Sequence, residues 1–278
     1  MKQLKWIGLL ALVLVLAACT QQEETTETEA IAGNQEETLD VGVAFFPMKE
    51  ILELIEEDLA SDGVTLAIHE FSDYQTPNNL LKDGELDANM IQHDYFLQSF
   101  NEANDTDLIT ILPMYHAIYA LYAKDVETVD EIPEGTAITL PDDATNRSRA
   151  LYLLGQAGLL TFTDGKTTGL TPEDIEENPK NLDFSDQVPL TSLAQRYTET
   201  GFAVMYPTYA QSLALEGDEE RIFTEEQDEV TKDYAISLVS RADNKDSAAV
   251  RALMEHLHSD KVKQFLIDEY GWASEPAW

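Results

Sequence analysis

Residues 40–71, DVGVAFFPMKEILELIEEDLASDGVTLAIHEF, hold one complete strand–helix–strand unit, and their reading decides the fold. Asp40-Val41-Gly42-Val43-Ala44-Phe45-Phe46 is apolar without interruption after its first residue, as a strand buried on both faces requires. Met48 to Leu59 then places Ile51, Leu52, Ile55 and Leu59 on one helical face, and the helix ends near Gly63. Val64 to Phe71 alternates as a second strand. A strand returning beside its predecessor through a helix makes a parallel pair.

The same alternation runs on along the chain. Thr76-Pro77 reads as a helix start, with Thr as cap and Pro at the first helical position, and Gly84 ends that helix. A short strand (Leu86 to Met90), a helix (Asp94 to Asn104) and another strand (Leu108 to Leu112) follow. Ala117 to Ala123 is an apolar crossing segment before a strand at Thr136 to Leu140. Asp142-Asp143 precede a helix from about Thr145 to Ala157, stopped by Gly158. Thr171-Pro172-Glu173-Asp174 is a second helix start. Leu182 to Phe184, Phe202 to Tyr206 and Tyr234 to Ser240 read as strands, and helices at about Lys245 to His258 and Asp260 to Tyr270 come last. Repeated units of this kind predict a mostly parallel sheet covered on both faces. Their number exceeds one comfortable sheet, so the expectation is two α/β lobes joined by crossing strands, with a ligand cleft at the strand ends.

On the other side of the opening stretch the composition changes. Lys2 and Lys5, an apolar run from Trp6 to Leu16, and Leu16-Ala17-Ala18-Cys19 have the order of a cleaved secretory leader, with residues 1–18 as signal peptide. Cys19 is the only cysteine, and it stands where the lipobox of bacterial lipoproteins carries its diacylated thiol. Residues 19–37 combine that lipidated cysteine with an acidic, Gln- and Thr-rich tract in which Ile31 is the only bulky aliphatic, which reads as a flexible spacer. Removing the leader takes two lysines from a formal charge of −36 and leaves −38 (−36 − 2). A field of that sign disfavours nucleic acid and anionic membrane as partners. With no cysteine left to pair, the folded part stands without disulfides.

Chemistry-bearing residues gather at two predicted strand–helix junctions. Arg149 lies in Pro141-Asp142-Asp143-Ala144-Thr145-Asn146-Arg147-Ser148-Arg149, where free N–H groups and a guanidinium make an anion site suited to a carboxylate. Arg147 competes for that role, and a surface arginine paired with one of the 53 acidic residues is the plainer reading. At the second junction Asn89, Gln92 and His93 offer neutral donors and acceptors. Tyr74 and Tyr115 place rings near strand ends. The other histidines lack ligand spacing to His93, so no metal is expected. No nucleophile elbow, phosphate-cradling glycine loop or HExxH is present, so no catalytic residues and no cofactor are expected.

Several strings in the right order resemble the NlpA-type lipoproteins that serve as substrate-binding proteins of methionine ABC transporters. They are Glu70-Phe71-Ser72-Asp73-Tyr74, Gly84-Glu85-Leu86-Asp87-Ala88-Asn89 with Gln92-His93, Asn146-Arg147-Ser148-Arg149-Ala150-Leu151 and Glu177-Asn178-Pro179-Lys180-Asn181-Leu182. The resemblance implies a two-lobed, periplasmic-binding-protein-like (type II) fold closing over one amino acid, with lobe 1 at 38–116 plus 235–278 and lobe 2 at 117–234. It implies ligand contacts at Tyr74, His93 and Arg149, the last gripping the ligand carboxylate. Ile91, Tyr115, Asn146, Tyr206 and Asn89 complete the expected ligand site. The chain departs from the family where Ile91 replaces an aromatic residue, where Tyr206 and Ile236 replace ligand-binding asparagines, and at Phe45-Phe46-Pro47. Losing two amides removes polar partners for a ligand's charged groups. The expected protein is therefore a monomeric, lipid-anchored importer subunit on the outer face of the cell membrane. It captures methionine or a related small amino acid for an ABC permease and its ATPase. The alternative is a surface lipoprotein that keeps the fold and binds another apolar amino acid, a short peptide or nothing.

Overall fold

A computed structural model describes residues 37–44, 47–215 and 219–278. The leader, Cys19, the spacer before Glu37 and Phe45-Phe46 lie outside the described residues.

In chain order the first half contains β1 (Glu37–Val43), α1 (Met48–Ser61), β2 (Val64–Glu70), α2 (Thr76–Asp83), β3 (Ala88–Gln92), α3 (Asp94–Asn104), β4 (Ile109–Ala117) and β5 (Ala120–Ala123). Then come β6 (Leu140–Pro141), α4 (Ala144–Gln156), β7 (Thr161–Phe162), β8 (Ile175–Glu177), β9 (Gln187–Val188) and α5 (Leu193–Thr200). The last elements are β10 (Phe202–Met205), α6 (Pro207–Ala210), β11 (Arg221–Thr224), β12 (Ala235–Ser240), α7 (Ala248–Leu257), α8 (Asp260–Tyr270) and β13 (Ser274–Pro276).

The larger sheet runs β13-β4-β12-β3-β1-β2, and a second sheet runs β10-β5-β11. β1 pairs in parallel with both β2 and β3, as the opening stretch requires. The expectation of a mostly parallel sheet needs correction. β12 runs antiparallel between β3 and β4, β13 is antiparallel to β4, and both pairings of the second sheet are antiparallel. The cause is connectivity: β12 arrives from the second sheet and not through a crossover helix, so nothing obliges it to run with β3. α1 buries Ile51, Leu52, Ile55 and Leu59 as its spacing predicts, in a core shared with Leu39, Val41, Leu253 and Leu266. A separate core around Leu121, Leu151, Leu154 and Val204 holds the second sheet.

Three local readings also change. α2 starts at Thr76, but its N-cap is Gln75, and Asp73 Oδ1 accepts the Gln75 and Thr76 N–H groups at 2.8 and 2.7 Å. The Thr171 start does close a capping box with Asp174, yet only one 3-10 turn follows before β8. Leu182 to Phe184 supplies only an isolated bridge, Ala137 to Asp183, and the strand at Thr136 to Leu140 shrinks to β6.

The chain passes between the two sheets twice. It leaves the larger one after Ala117 through Ile118-Tyr119 into β5, and it returns from β11 through residues 225–234 into β12. The two passages lie side by side, with Glu225 N–H donating to the Tyr119 carbonyl at 2.9 Å. Ile55 has no exposed surface, so Ile55→Ala should cost about 2–5 kcal/mol through lost burial and the cavity left behind, seen as a lower urea midpoint at unchanged slope.

Candidate functional site

The local structure of α4 organises the site. Asp143 is its N-cap, accepting the Asn146 N–H at 2.9 Å, and the same carboxylate accepts both Nδ2 contacts of Asn146 at 3.1 Å. With its amino group so held, Asn146 turns its Oδ1 the other way. There it accepts the Tyr206 hydroxyl at 2.7 Å and faces His93 Nε2 at 3.4 Å. His93 is the N-cap of α3, and its Nδ1 accepts the Phe96 N–H at 3.2 Å. That bond assigns the ring proton to Nε2. Burial, reinforced by the Arg149 charge, lowers the His93 pKa from 6.5 to about 3, so the ring is neutral.

These residues wall a narrow pocket of about 40 Å³. Tyr74, Ile91, His93, Tyr115, Asn146 and Tyr206, all named from the sequence, line it together. β3 and β12 deliver their part through a bulge: Ser237 pairs with Gln92 and Leu238 with Met90, leaving Ile91 without a partner in the ladder. Met48, Phe96, Leu190, Thr208, Tyr209 and Ile236 add further lining. Tyr74 and Tyr209 share a short hydroxyl–hydroxyl hydrogen bond beside it. Among the described residues, none of the lining side chains is an aspartate, glutamate, lysine or arginine.

Two expected site residues are elsewhere. Asn89 is fully buried in an amide network, donating to Asn78 Oδ1 at 2.8 Å while its own Oδ1 accepts from Gln92 at 3.2 Å. It therefore braces Gln92 and does not line the pocket. Arg149 has no exposed surface and is also absent from the lining. Its Nε and Nη2 donate to the two oxygens of Glu225 at 2.8 and 2.5 Å, Nη2 also to the Ala117 carbonyl at 3.0 Å, and Nη1 to the Tyr206 hydroxyl at 3.3 Å. The rings of Tyr234, Tyr119 and Tyr206 surround the guanidinium at 4.7, 5.0 and 5.6 Å. Burial works against its charge, but the Glu225 carboxylate overrides this and raises its pKa. So the plainer reading of Arg149 was right about an acidic partner and wrong about the surface. Arg147 instead donates to the Asp142 carbonyl and to Gln187, outside the pocket. Sequence reading missed Glu225, since nothing separates one glutamate after a strand from the other acids. Tyr209 was within reach through the Tyr206-Pro207-Thr208-Tyr209 turn.

Two α/β lobes joined by two adjacent chain passages, with a side-chain-lined pocket where their elements meet, define a binding protein of the two-lobed class. The chain belongs to the NlpA lipoprotein family, whose sequence model matches residues 39–278. It is 34% identical to the methionine-binding lipoprotein MetQ of Bacillus subtilis, covering 99% of each chain. Among solved structures, it resembles the substrate binding protein of a methionine transporter from Streptococcus pneumoniae, at 30% identity and a TM-score of 0.78 over 87% of this chain and 96% of that one. A nutrient binding protein from Burkholderia cenocepacia bound to methionine matches with a TM-score of 0.79 and 27% identity, over 86% of this chain and 100% of that one.

Glu225→Ala strands a buried guanidinium, so stability should fall by about 3–5 kcal/mol in urea unfolding. For His93, the unfolded chain binds its proton near the ordinary value of 6.5 while the folded chain holds out to about 3. Between those values the unfolded state carries the extra proton, so His93 contributes a loss of stability as pH falls. Between about pH 6 and 4 the wild type should lose up to about 1.4 kcal/mol per pH unit more than His93→Gln.

Proposed function

We propose that this protein is the solute-capturing lipoprotein of an ABC importer. A lipid on Cys19 holds it on the extracytoplasmic face of the cell membrane, and the acidic spacer keeps its folded part clear of the headgroups. Lobe 1 (38–116 with 235–278) and lobe 2 (117–234) hinge at the two chain passages. They close on methionine or a related small amino-acid solute, and the monomer presents it unchanged to a permease driven by its ATPase. The relatives bind methionine by name, and their likeness spans nearly the whole of this chain.

The observation that carries this reading is the two-sided wall of the pocket. Ile91, His93 and Tyr115 come from the larger sheet and its edge, while Asn146, Tyr206 and Tyr209 come from the α4 and α6 side. The Tyr74–Tyr209 and His93–Asn146 contacts tie the two sides together. A pocket divided in this way exists only when the halves are shut, so a solute inside it favours the shut state by its differential affinity. Tyr206 and Ile236 favour a second reading, in which the same fold captures a different apolar solute or a short peptide.

Thermal melting against apolar amino acids, their amides and dipeptides tests the capture itself. A solute at 100 times its Kd should add about 2.7 kcal/mol of stability, and Ile91→Trp, which fills the pocket, should abolish the shift. A wild-type melting temperature indifferent to every solute would sink the reading.

A further inference from the structure

A pocket of about 40 Å³ has room for about three water molecules. Pockets that enclose a small-molecule ligand run from about 300 Å³ upwards, so a wall must move before a solute is seated. Most of the walls are held from behind. Ile91, Tyr115 and Ile236 belong to strands of the six-stranded sheet, while Asn146 is tied to Asp143, and Tyr206 to the buried Arg149. Tyr209 has the least support. It stands on α6, at four residues the shortest α-helix among the described residues. That helix runs through one 3-10 turn into Ala214, whose φ of 60° is left-handed although it is not a glycine. The Tyr209 hydroxyl meets that of Tyr74, which reaches over from the loop between β2 and α2. Tyr209 and Thr208 also line a second cavity of about 490 Å³, a groove between Val43, Lys49 and Glu70 on one side and Thr191, Ala194 and Ser212 on the other. Tyr209 is therefore the partition between a wide groove and a narrow pocket. The cavity that meets the pocket on its other flank, at Phe96, is smaller, about 130 Å³.

We propose that Tyr209 is the gate of the solute pocket: its hydroxyl bond to Tyr74 latches the partition, and a solute passes from the groove into the pocket when that bond breaks and α6 moves aside. This rests on the reading of the pocket as the solute site, and adds how the site is entered and what limits its affinity. The latch joins two side chains of the protein itself, so it competes with capture. A protein that receives its solute only when unlatched binds with an apparent Kd raised by the inverse of the unlatched fraction. One hydrogen bond between neutral groups sets that fraction by a factor of about 2 to 10. The other contact across the pocket, His93 Nε2 to Asn146 Oδ1, is long at 3.4 Å and adds less. Both phenol rings have neighbours of their own, Phe96 at 5.9 Å from Tyr74 and Tyr206 at 6.0 Å from Tyr209, so a phenylalanine at either position keeps its seat.

Tyr209→Phe removes the latch and keeps the ring. L-methionine, and any other solute that shifts the wild-type melting temperature, is titrated into both proteins by calorimetry, and amide hydrogen exchange is followed in each protein alone. The variant should bind about 2- to 10-fold tighter, and its amides over residues 206–215 should exchange faster while those of α1 keep their wild-type rates. Tyr74→Phe removes the same bond from the other side. It should speed that exchange to the same degree, and the double variant should go no further, as one shared bond requires. A variant that is merely destabilised binds no tighter, which separates a latch from ordinary packing. Binding to Tyr209→Phe no tighter than to the wild type overturns the gate and leaves the capture function standing, and so does unchanged exchange over 206–215. If neither protein binds methionine, and the melting panel shows no shift, capture and gate fall together.

Discussion

The structure depends on one buried ion pair. Arg149 and Glu225 meet with no more than a trace of exposed side chain between them, at the point where the chain crosses between its sheets. Glu225 belongs to the returning passage, and Ala117 and Tyr119, which also touch the guanidinium, belong to the outgoing one. Desolvating two charges is expensive, and the pair holds because both carboxylate oxygens and most of the guanidinium donors are satisfied and three aromatic faces enclose the cation. The pair thereby holds the two passages side by side.

From that pin the site follows by a short chain of orientation. Arg149 sets the Tyr206 hydroxyl, Tyr206 and Asp143 set the Asn146 amide, and Asn146 faces the neutral ring of His93. Each group has one proton arrangement that satisfies its neighbours. The apolar wall has a different origin, since the bulge at Ile91 takes that side chain out of the ladder pattern.

Much of this was legible in the sequence. The 3.6-residue spacing of Ile51, Leu52, Ile55 and Leu59, together with the alternation in Val64 to Phe71, was enough for the first parallel pair, because local periodicity reports burial directly. Six of the eight expected ligand residues do line one pocket. Asn89 and Arg149 lie off that lining for the same reason: a polar residue at a strand–helix junction reads as pocket-facing until its buried partner is known. The partners of Asn89 are 11 and 3 residues away, and that of Arg149 is 76 away. Strand direction was also out of reach, because antiparallel pairing of β12 depends on where the chain returns from.

The two borders of the larger sheet bear on life at a crowded surface. One border is β2, whose far end carries His69 against Asp40 and Glu70 against Lys49. The other is β13, three residues with Glu275 and Pro276, laid over β4. Charge at one rim and proline at the other discourage a neighbouring molecule from adding its own strand. On the anchored reading proposed above, molecules held at high local density can therefore jostle without zipping together.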